Sequence, residues 1–136
     1  MKRTLIASLA SAFVLFVILS ITAAPLFAHH GRGASYDNSK IMTIQGTVTE
    51  WTWRNPHVAL YVDVKGADGK VVNWGFESQS VGSLSKLHMT RRSFQPGQQL
   101  KIIFNPSRGG APVGVLRKAY DASGKELLSF GGPIDQ

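Results

Sequence analysis

The sequence contains no cysteine and only eight acidic residues. Without cysteine the chain cannot form a disulfide, a thiolate nucleophile or a cysteine-ligated zinc site. Its stability must therefore come from a packed core. Hydrophobic residues make up 43% of the chain and charged residues 17%, a composition that excludes intrinsic disorder. A length of 136 residues excludes a TIM barrel and a complete dinucleotide-binding Rossmann enzyme.

Catalytic motifs are also missing. The chain has neither the G-x-S-x-G frame of a serine nucleophile nor the G-x-x-x-x-G-K-[ST] phosphate loop. Glu50 and Glu77 could form a glycosidase pair in principle, but nothing in the sequence positions them together. The sequence therefore predicts no catalytic residues, no organic cofactor and no enzymatic activity.

The N-terminal residues have the pattern of an export signal. Lys2 and Arg3 precede an apolar run over residues 5–21, and Ala28 ends a small-residue cleavage site. We expect cleavage after Ala28, so that the mature chain begins at His29 in the periplasm or outside the cell. The alternative is an uncleaved anchor, because 17 apolar residues are close to the minimum for a membrane span. Such an anchor is the only membrane contact that the sequence predicts.

Basic residues outnumber acidic ones, giving a net charge of +7. For an exported protein, this balance favours an unidentified component of the cell envelope, such as anionic lipid head groups or cell-wall polymers, over nucleic acid. The charges are dispersed along the chain, with Arg91-Arg92 and Arg117-Lys118 the adjacent basic pairs of the mature part. Most of them are therefore expected to lie on solvated faces.

Alternating hydrophobicity predicts β-strands over residues 41–130. A polar arm precedes them at 29–40, and a loose tail follows at 131–136. The apolar parity changes near Glu50, which indicates a bulge in the first strand. Asp68-Gly69 is typical of a hairpin turn. Nine residues in three alternating runs are predicted to face inward: Val58, Leu60, Val62, Val72, Trp74, Phe76, Leu100, Ile102 and Phe104.

A short helix over 80–88 interrupts the strands. Val81, Leu84, Leu87 and His88 fall on one helical face, and Ser80 is suited to cap its N-terminus. The predicted fold is mostly β: a small antiparallel OB-like barrel of five to six strands, with one short helix between strands 3 and 4. An open antiparallel sandwich is the alternative.

Several short motifs occur together in the mature part. They include His29-His30 after the signal, Gly46-Thr47-Val48-Thr49-Glu50-Trp51, Asn55-Pro56-His57 and Asn73-Trp74-Gly75-Phe76-Glu77. As a set they resemble a family of short exported bacterial proteins catalogued as a domain of unknown function. The resemblance covers nearly all of the mature chain. It implies a periplasmic location and a small β domain, but no activity.

The histidines suggest a metal site. A mature N-terminal His29 would offer its α-amino group and its imidazole to one ion, and His57 could supply a third nitrogen. An all-nitrogen tetragonal set suits Cu(II), and His30, Tyr36 and Asp37 could add donors. This set resembles the histidine-brace sites of exported copper proteins. The alternative is a frayed terminus, with His57 serving only the loop around Pro56.

The tryptophans also have two interpretations. Trp51, Trp53 and Glu77 could form a ligand face on the barrel, stacking the rings of an oligosaccharide or oligonucleotide. The alternative is that both tryptophans complete a small core. His88 is expected to be structural, and Met89 to be a packing residue rather than a copper(I) ligand.

Overall fold

Six β-strands and one short α-helix form the computed structural model, which describes residues 35–130. The predicted signal at 1–28, His29 and His30, and the tail at 131–136 lie outside the described residues. In chain order the elements are β1 (Met42–Thr52), β2 (Ala59–Lys65), β3 (Val71–Glu77), α1 (Val81–Lys86), β4 (Gln99–Pro106), β5 (Val113–Asp121) and β6 (Glu126–Ser129).

The strands close into a barrel. They hydrogen-bond in the order β3-β2-β1-β4-β5-β6, and β3 also pairs with β5. That closing pair is parallel, joining Gly75–Glu77 to Val113–Val115, whereas the other pairs are antiparallel. The five-stranded OB-like barrel with an outer sixth strand and a helix between β3 and β4 is thus confirmed, and the open sandwich is wrong.

The bulge predicted in the first strand is present in β1. The register of β1 against β2 shifts between Val48 and Glu50, and this lets Val48 and Trp51 both face the core. A strand without an extra residue would place residues three apart on opposite faces. The bulge therefore allows one long strand to pair with β2 at one end and with β4 at the other.

Aromatic side chains fill the centre of the barrel. The rings of Phe76 and Phe104 are 4.9 Å apart, and Trp74 meets Phe104 edge-on at 5.3 Å. Eight of the nine predicted inward residues belong to the core or pack against it: Val58, Leu60, Val62, Trp74, Phe76, Leu100, Ile102 and Phe104.

Val72 is the exception, because 44% of its surface is exposed. It shares the inward parity of Trp74 and Phe76, but β5 pairs with β3 only from Gly75 onward. The start of β3 therefore extends beyond the part of the barrel that β5 covers.

The helix is shorter than predicted. Ser80 caps it as expected, accepting a hydrogen bond from the Ser83 amide, and the helix ends at Lys86. His88 then adopts a left-handed φ of 60°. This turn leaves Leu87 48% exposed and brings Met89 into the core at 8% exposure, with the Met89 amide donating to the Leu84 carbonyl. The prediction that the helix includes Leu87 and His88 was wrong, while Met89 is a packing residue as predicted.

The described end of the polar arm is attached to the barrel. Tyr36 forms an isolated β-bridge with Ser107, and the backbone amide of Asp37 donates to the Pro106 carbonyl. The side-chain amide of the buried Asn105 donates to the Lys40 carbonyl at 2.7 Å. Residues 35–40 thus run along the β4–β5 end of the barrel. Within 35–130, no helix has the length and hydrophobicity needed to cross a membrane.

Candidate functional site

The loop between β1 and β2 presents His57 at one end of the barrel. Asn55, which precedes a cis Pro56, accepts a hydrogen bond from the Val81 amide at the start of α1. On the other side of His57, the Val58 carbonyl accepts from the Ser78 amide at 2.8 Å, extending the β2–β3 ladder by one step. The His57 backbone is therefore held on both sides, and its imidazole lies at the ladder's end.

His57 is bonded to a carboxylate from the neighbouring strand. Its Nδ1 lies 2.8 Å from Oε1 of Glu77, while 45% of the His57 side chain and 25% of the Glu77 side chain remain exposed. An ionised carboxylate only accepts hydrogen bonds, so Nδ1 carries the hydrogen of this contact. In the neutral ring, Nε2 then keeps its lone pair for another partner.

A third residue reaches Glu77 from the polar arm. The Tyr36 hydroxyl donates to Oε2 of Glu77 at 3.3 Å, so both oxygens of the carboxylate are engaged. We call this arrangement the Tyr36–Glu77–His57 chain. Its three members come from the arm, β3 and the β1–β2 loop, so the fold alone brings them together.

A shallow groove of about 230 Å³ lies beside this chain on the outer face of β2 and β3. Tyr36, Tyr61, Glu77 and Val113 are among its lining residues, and Gly75 forms part of its floor. A Cβ at Gly75 would lie 3.1 Å from the Tyr61 ring, so glycine lets this ring lie close to the strand. The groove thus combines two tyrosine rings with a carboxylate.

A second pocket, of about 400 Å³, lies where the arm meets the β4–β5 loop. Asp37 is central there: its Oδ1 accepts from the Ser39 hydroxyl at 2.6 Å, and Lys40 and Arg108 approach it at 3.8 and 4.0 Å. The Ser39 hydrogen bond, helped by the two cations, holds the pKa of the Asp37 carboxyl below its usual range. Trp74 forms an aromatic wall of this pocket.

The structure divides the predicted ligand face of Trp51, Trp53 and Glu77: the tryptophans pack in or against the core, whereas Glu77 lines the outer groove. Trp51 is a core residue with 8% exposure; its indole NH donates to the Thr90 carbonyl, and its ring meets Phe94 edge-on at 5.0 Å. Trp53 is half-buried and packs against the core. Glu77 lies on the outer side of β3, where its aromatic neighbours are Tyr36 and Tyr61. Tyr61 was not among the residues predicted to form a site. Its alternation with the inward residues Leu60 and Val62 was the signal that places it on the outer face of β2.

Of the predicted metal ligands, the structure places His57, Tyr36 and Asp37. Residues 35–130 contain no group of three or more histidine, cysteine or acidic side chains able to hold a metal. The other two predicted ligands, His29 and His30, lie outside that range.

The strand order and the parallel β3–β5 closure define this protein as an OB-like β-barrel with an outer strand. The model of DUF6152, a family of unknown function, matches residues 17–117, and the chain belongs to that family. This confirms the resemblance seen in the sequence. No curated protein and no solved structure shows significant similarity to the chain.

Proposed function

We propose that this protein is an exported, non-enzymatic binding module of the cell envelope, and that one of its ligands is Cu(II). The observation that carries the metal proposal is the Nδ1 bond of His57 to Glu77. The N-terminal sequence supports export, because its basic start, apolar run and Ala28 have the order of a removable signal.

The His57–Glu77 pair has the form of a metal ligand with its supporting residue. Metal-binding histidines donate their second ring NH to a carboxylate or carbonyl, which fixes the tautomer and raises the basicity of the ligating nitrogen. Glu77 provides such an acceptor at 2.8 Å and is itself held by Tyr36. The partly exposed His57 ring is then a pre-oriented nitrogen donor.

The proposed chelate requires the chain between His29 and Tyr36 to be long enough for the N-terminus to meet His57. His29 lies seven residues before Tyr36, and Tyr36 is in contact with Glu77. Seven extended residues span up to about 23–25 Å, which is ample to return from Tyr36 to His57. The α-amine and imidazole of His29 with the imidazole of His57 would form the T-shaped nitrogen set that Cu(II) favours.

A binding role fits the state of the carboxylates. Glu77, one half of the pair considered for glycoside hydrolysis, is engaged by both His57 and Tyr36. Asp37 is likewise engaged by Ser39 and has a lowered pKa, opposite to the raised pKa of a general acid. These contacts favour positioning roles over proton transfer.

The test is a copper titration by calorimetry and electron paramagnetic resonance. The protein is recovered after export, with its N-terminus determined by mass spectrometry. We expect one tightly bound Cu(II) with nitrogen hyperfine structure. His29→Ala, or one residue added before His29, should weaken binding by more than the roughly 10–100-fold that loss of an outer-shell partner costs, because each change destroys the two-nitrogen chelate. His57→Ala should weaken binding less, because it removes one donor rather than two.

His88→Ala is the matched control, because His88 is also exposed but belongs to the turn after α1. It should leave copper affinity unchanged. Equal binding by the native and extended N-termini would rule out the chelate, and so would a mature chain that begins elsewhere than His29.

The groove beside Tyr61 supports a second candidate, an oligosaccharide ligand. Aromatic rings such as that of Tyr61 stack against the faces of sugar rings. The Glu77 carboxylate could accept hydrogen bonds from the hydroxyl groups of the sugar. Titration with soluble cell-wall oligosaccharides should perturb the Tyr61 ring resonances, and Tyr61→Ala should abolish binding. Binding that survives Tyr61→Ala would exclude this groove.

A further inference from the structure

We infer that the helix side of the barrel is a docking surface for lipid bilayers that carry anionic head groups. This surface, the cationic cap, consists of Arg54, Lys86, Arg91 and Arg92 with Leu87 among them, all exposed. None of its residues belongs to the Tyr36–Glu77–His57 chain, and its test does not require bound copper.

The cationic cap lacks the carboxylates that neutralise some basic side chains elsewhere. Lys70 pairs with Asp68, Lys118 with Glu126, and Lys40 with Asp37. Other lysines, Lys65 among them, make no ion pair within residues 35–130 either, so the cap is distinguished by the number of cations in a stretch that has no carboxylate. None of the four cap cations makes an ion pair within residues 35–130. The segment 78–98 contains no aspartate or glutamate. The cap therefore presents uncompensated positive charge.

The fold gathers these residues from two parts of the chain. Arg54 precedes Asn55, whose side chain is bonded to the Val81 amide at the start of α1, and Lys86 is the last residue of that helix. A six-residue helix is about 9 Å long, so Arg54 and Lys86 lie at the two ends of a short element.

Arg91 and Arg92 follow in an ordered turn. The Thr90 amide donates to the Ser93 hydroxyl at 2.8 Å, and the Arg92 amide donates to the Thr90 hydroxyl at 3.1 Å. The Thr90 carbonyl in turn accepts from the Trp51 indole in the core. The backbone that carries both arginines is therefore fixed to the barrel, while their side chains face solvent.

Leu87 favours a bilayer over a soluble polyanion as the occupant. The turn at His88 puts Met89 into the core and leaves Leu87 48% exposed between Lys86 and His88. At a lipid surface, this side chain can enter the head-group boundary while the flanking cations contact phosphates. A soluble polyanion also offers anionic groups to the cations, but it has no apolar region in which the Leu87 side chain can be buried.

The experiment is cosedimentation of the exported, purified protein with vesicles, in the presence of a copper chelator. Phosphatidylcholine vesicles with and without phosphatidylglycerol are compared. We expect binding only when phosphatidylglycerol is present, and we expect it to decline as salt is raised. Each basic residue near an anionic surface strengthens binding by about fivefold, so R91Q/R92Q should weaken it by about 25-fold.

K65Q/K70Q is the matched control, removing two cations at the β2–β3 hairpin, and it should bind as the parent does. Equal losses in R91Q/R92Q and K65Q/K70Q would overturn the proposal, because net charge alone would then explain binding. Leu87→Ser should weaken vesicle binding several-fold and leave binding to soluble polyphosphate unchanged. If Leu87→Ser has no effect on vesicle binding and polyphosphate competes fully, the surface binds soluble polyanions and not a bilayer.

Discussion

At the scale of single residues, closure of the barrel depends on Gly114. It lies opposite Phe76 in β3 and opposite Pro106 in β4, where three strands meet. A Cβ added there would meet the Phe104 ring and would lie 2.8 Å from the Asn105 carbonyl oxygen. Both neighbours are buried, so neither can move aside without disturbing the core.

We therefore expect Gly114→Ala to lower the free energy of unfolding by about 2 kcal/mol or more, since overpacking a core costs about 1–3 kcal/mol. Urea denaturation followed by tryptophan fluorescence measures the change. Gly82→Ala is the control, because a Cβ at Gly82 meets nothing within 4 Å. Alanine in that helical position should instead stabilise the protein by up to about 1 kcal/mol. Equal effects of the two substitutions would contradict this account of Gly114.

At the scale of elements, one carboxylate orders the polar arm where it meets the β4–β5 loop. Asp37 accepts from the Ser39 hydroxyl and faces Lys40 and Arg108, and its pKa in the fold is lowered chiefly by the Ser39 bond. A group whose folded-state pKa is lowered stabilises the fold above its unfolded pKa, about 3.9 for aspartate. That contribution is lost as the pH falls through the folded-state pKa.

Acidification should therefore loosen the arm before it unfolds the barrel. We expect the amides of Ser39 and Lys40 to change their chemical shifts and lose exchange protection as the pH falls below about 4, and to be unaffected above about pH 5. Asp37→Asn should remove this transition. Asp121 serves as an internal reference, because Ser123 lowers its pKa in the same way in the β5–β6 turn. The acid transition at Asp121 should persist in the Asp37→Asn variant. If Asp37→Asn removed the transitions at both sites, the change would reflect global unfolding rather than loosening of the arm.

At the scale of the whole molecule, the strands share a single core. Buried side chains from β1, β2, β3, β4, β5 and β6 belong to one cluster, and α1 adds Leu84. With no cysteine in the chain, nothing covalent holds these elements together. Small domains with one core unfold in one cooperative step.

We expect thermal unfolding to show one transition, with the same midpoint by tryptophan fluorescence and by far-ultraviolet circular dichroism. Trp51, Trp53 and Trp74 report on the core through fluorescence, and the strands report through dichroism. A reducing agent should leave the midpoint unchanged. Separate midpoints for the two probes would show that the barrel does not unfold as a unit.

The sequence by itself determined the features that depend on neighbouring residues. Alternation predicted the strands and their inward sides, the parity change predicted the bulge near Glu50, and Ser80 marked the start of α1. The order of strands around the helix also favoured the OB-like barrel. Each of these patterns repeats within a few residues, so the chain carries it locally.

Only the tertiary structure decided the features that join distant segments. The parallel β3–β5 pairing closed the barrel and left Val72 exposed, and the turn at His88 exchanged Leu87 for Met89 in the core. The bond between His57 and Glu77 spans 20 positions, and that between Tyr36 and Glu77 spans 41. A strand's parity predicts which side a residue faces. Which distant side chain it meets there depends on register and closure, which arise only when the whole barrel forms.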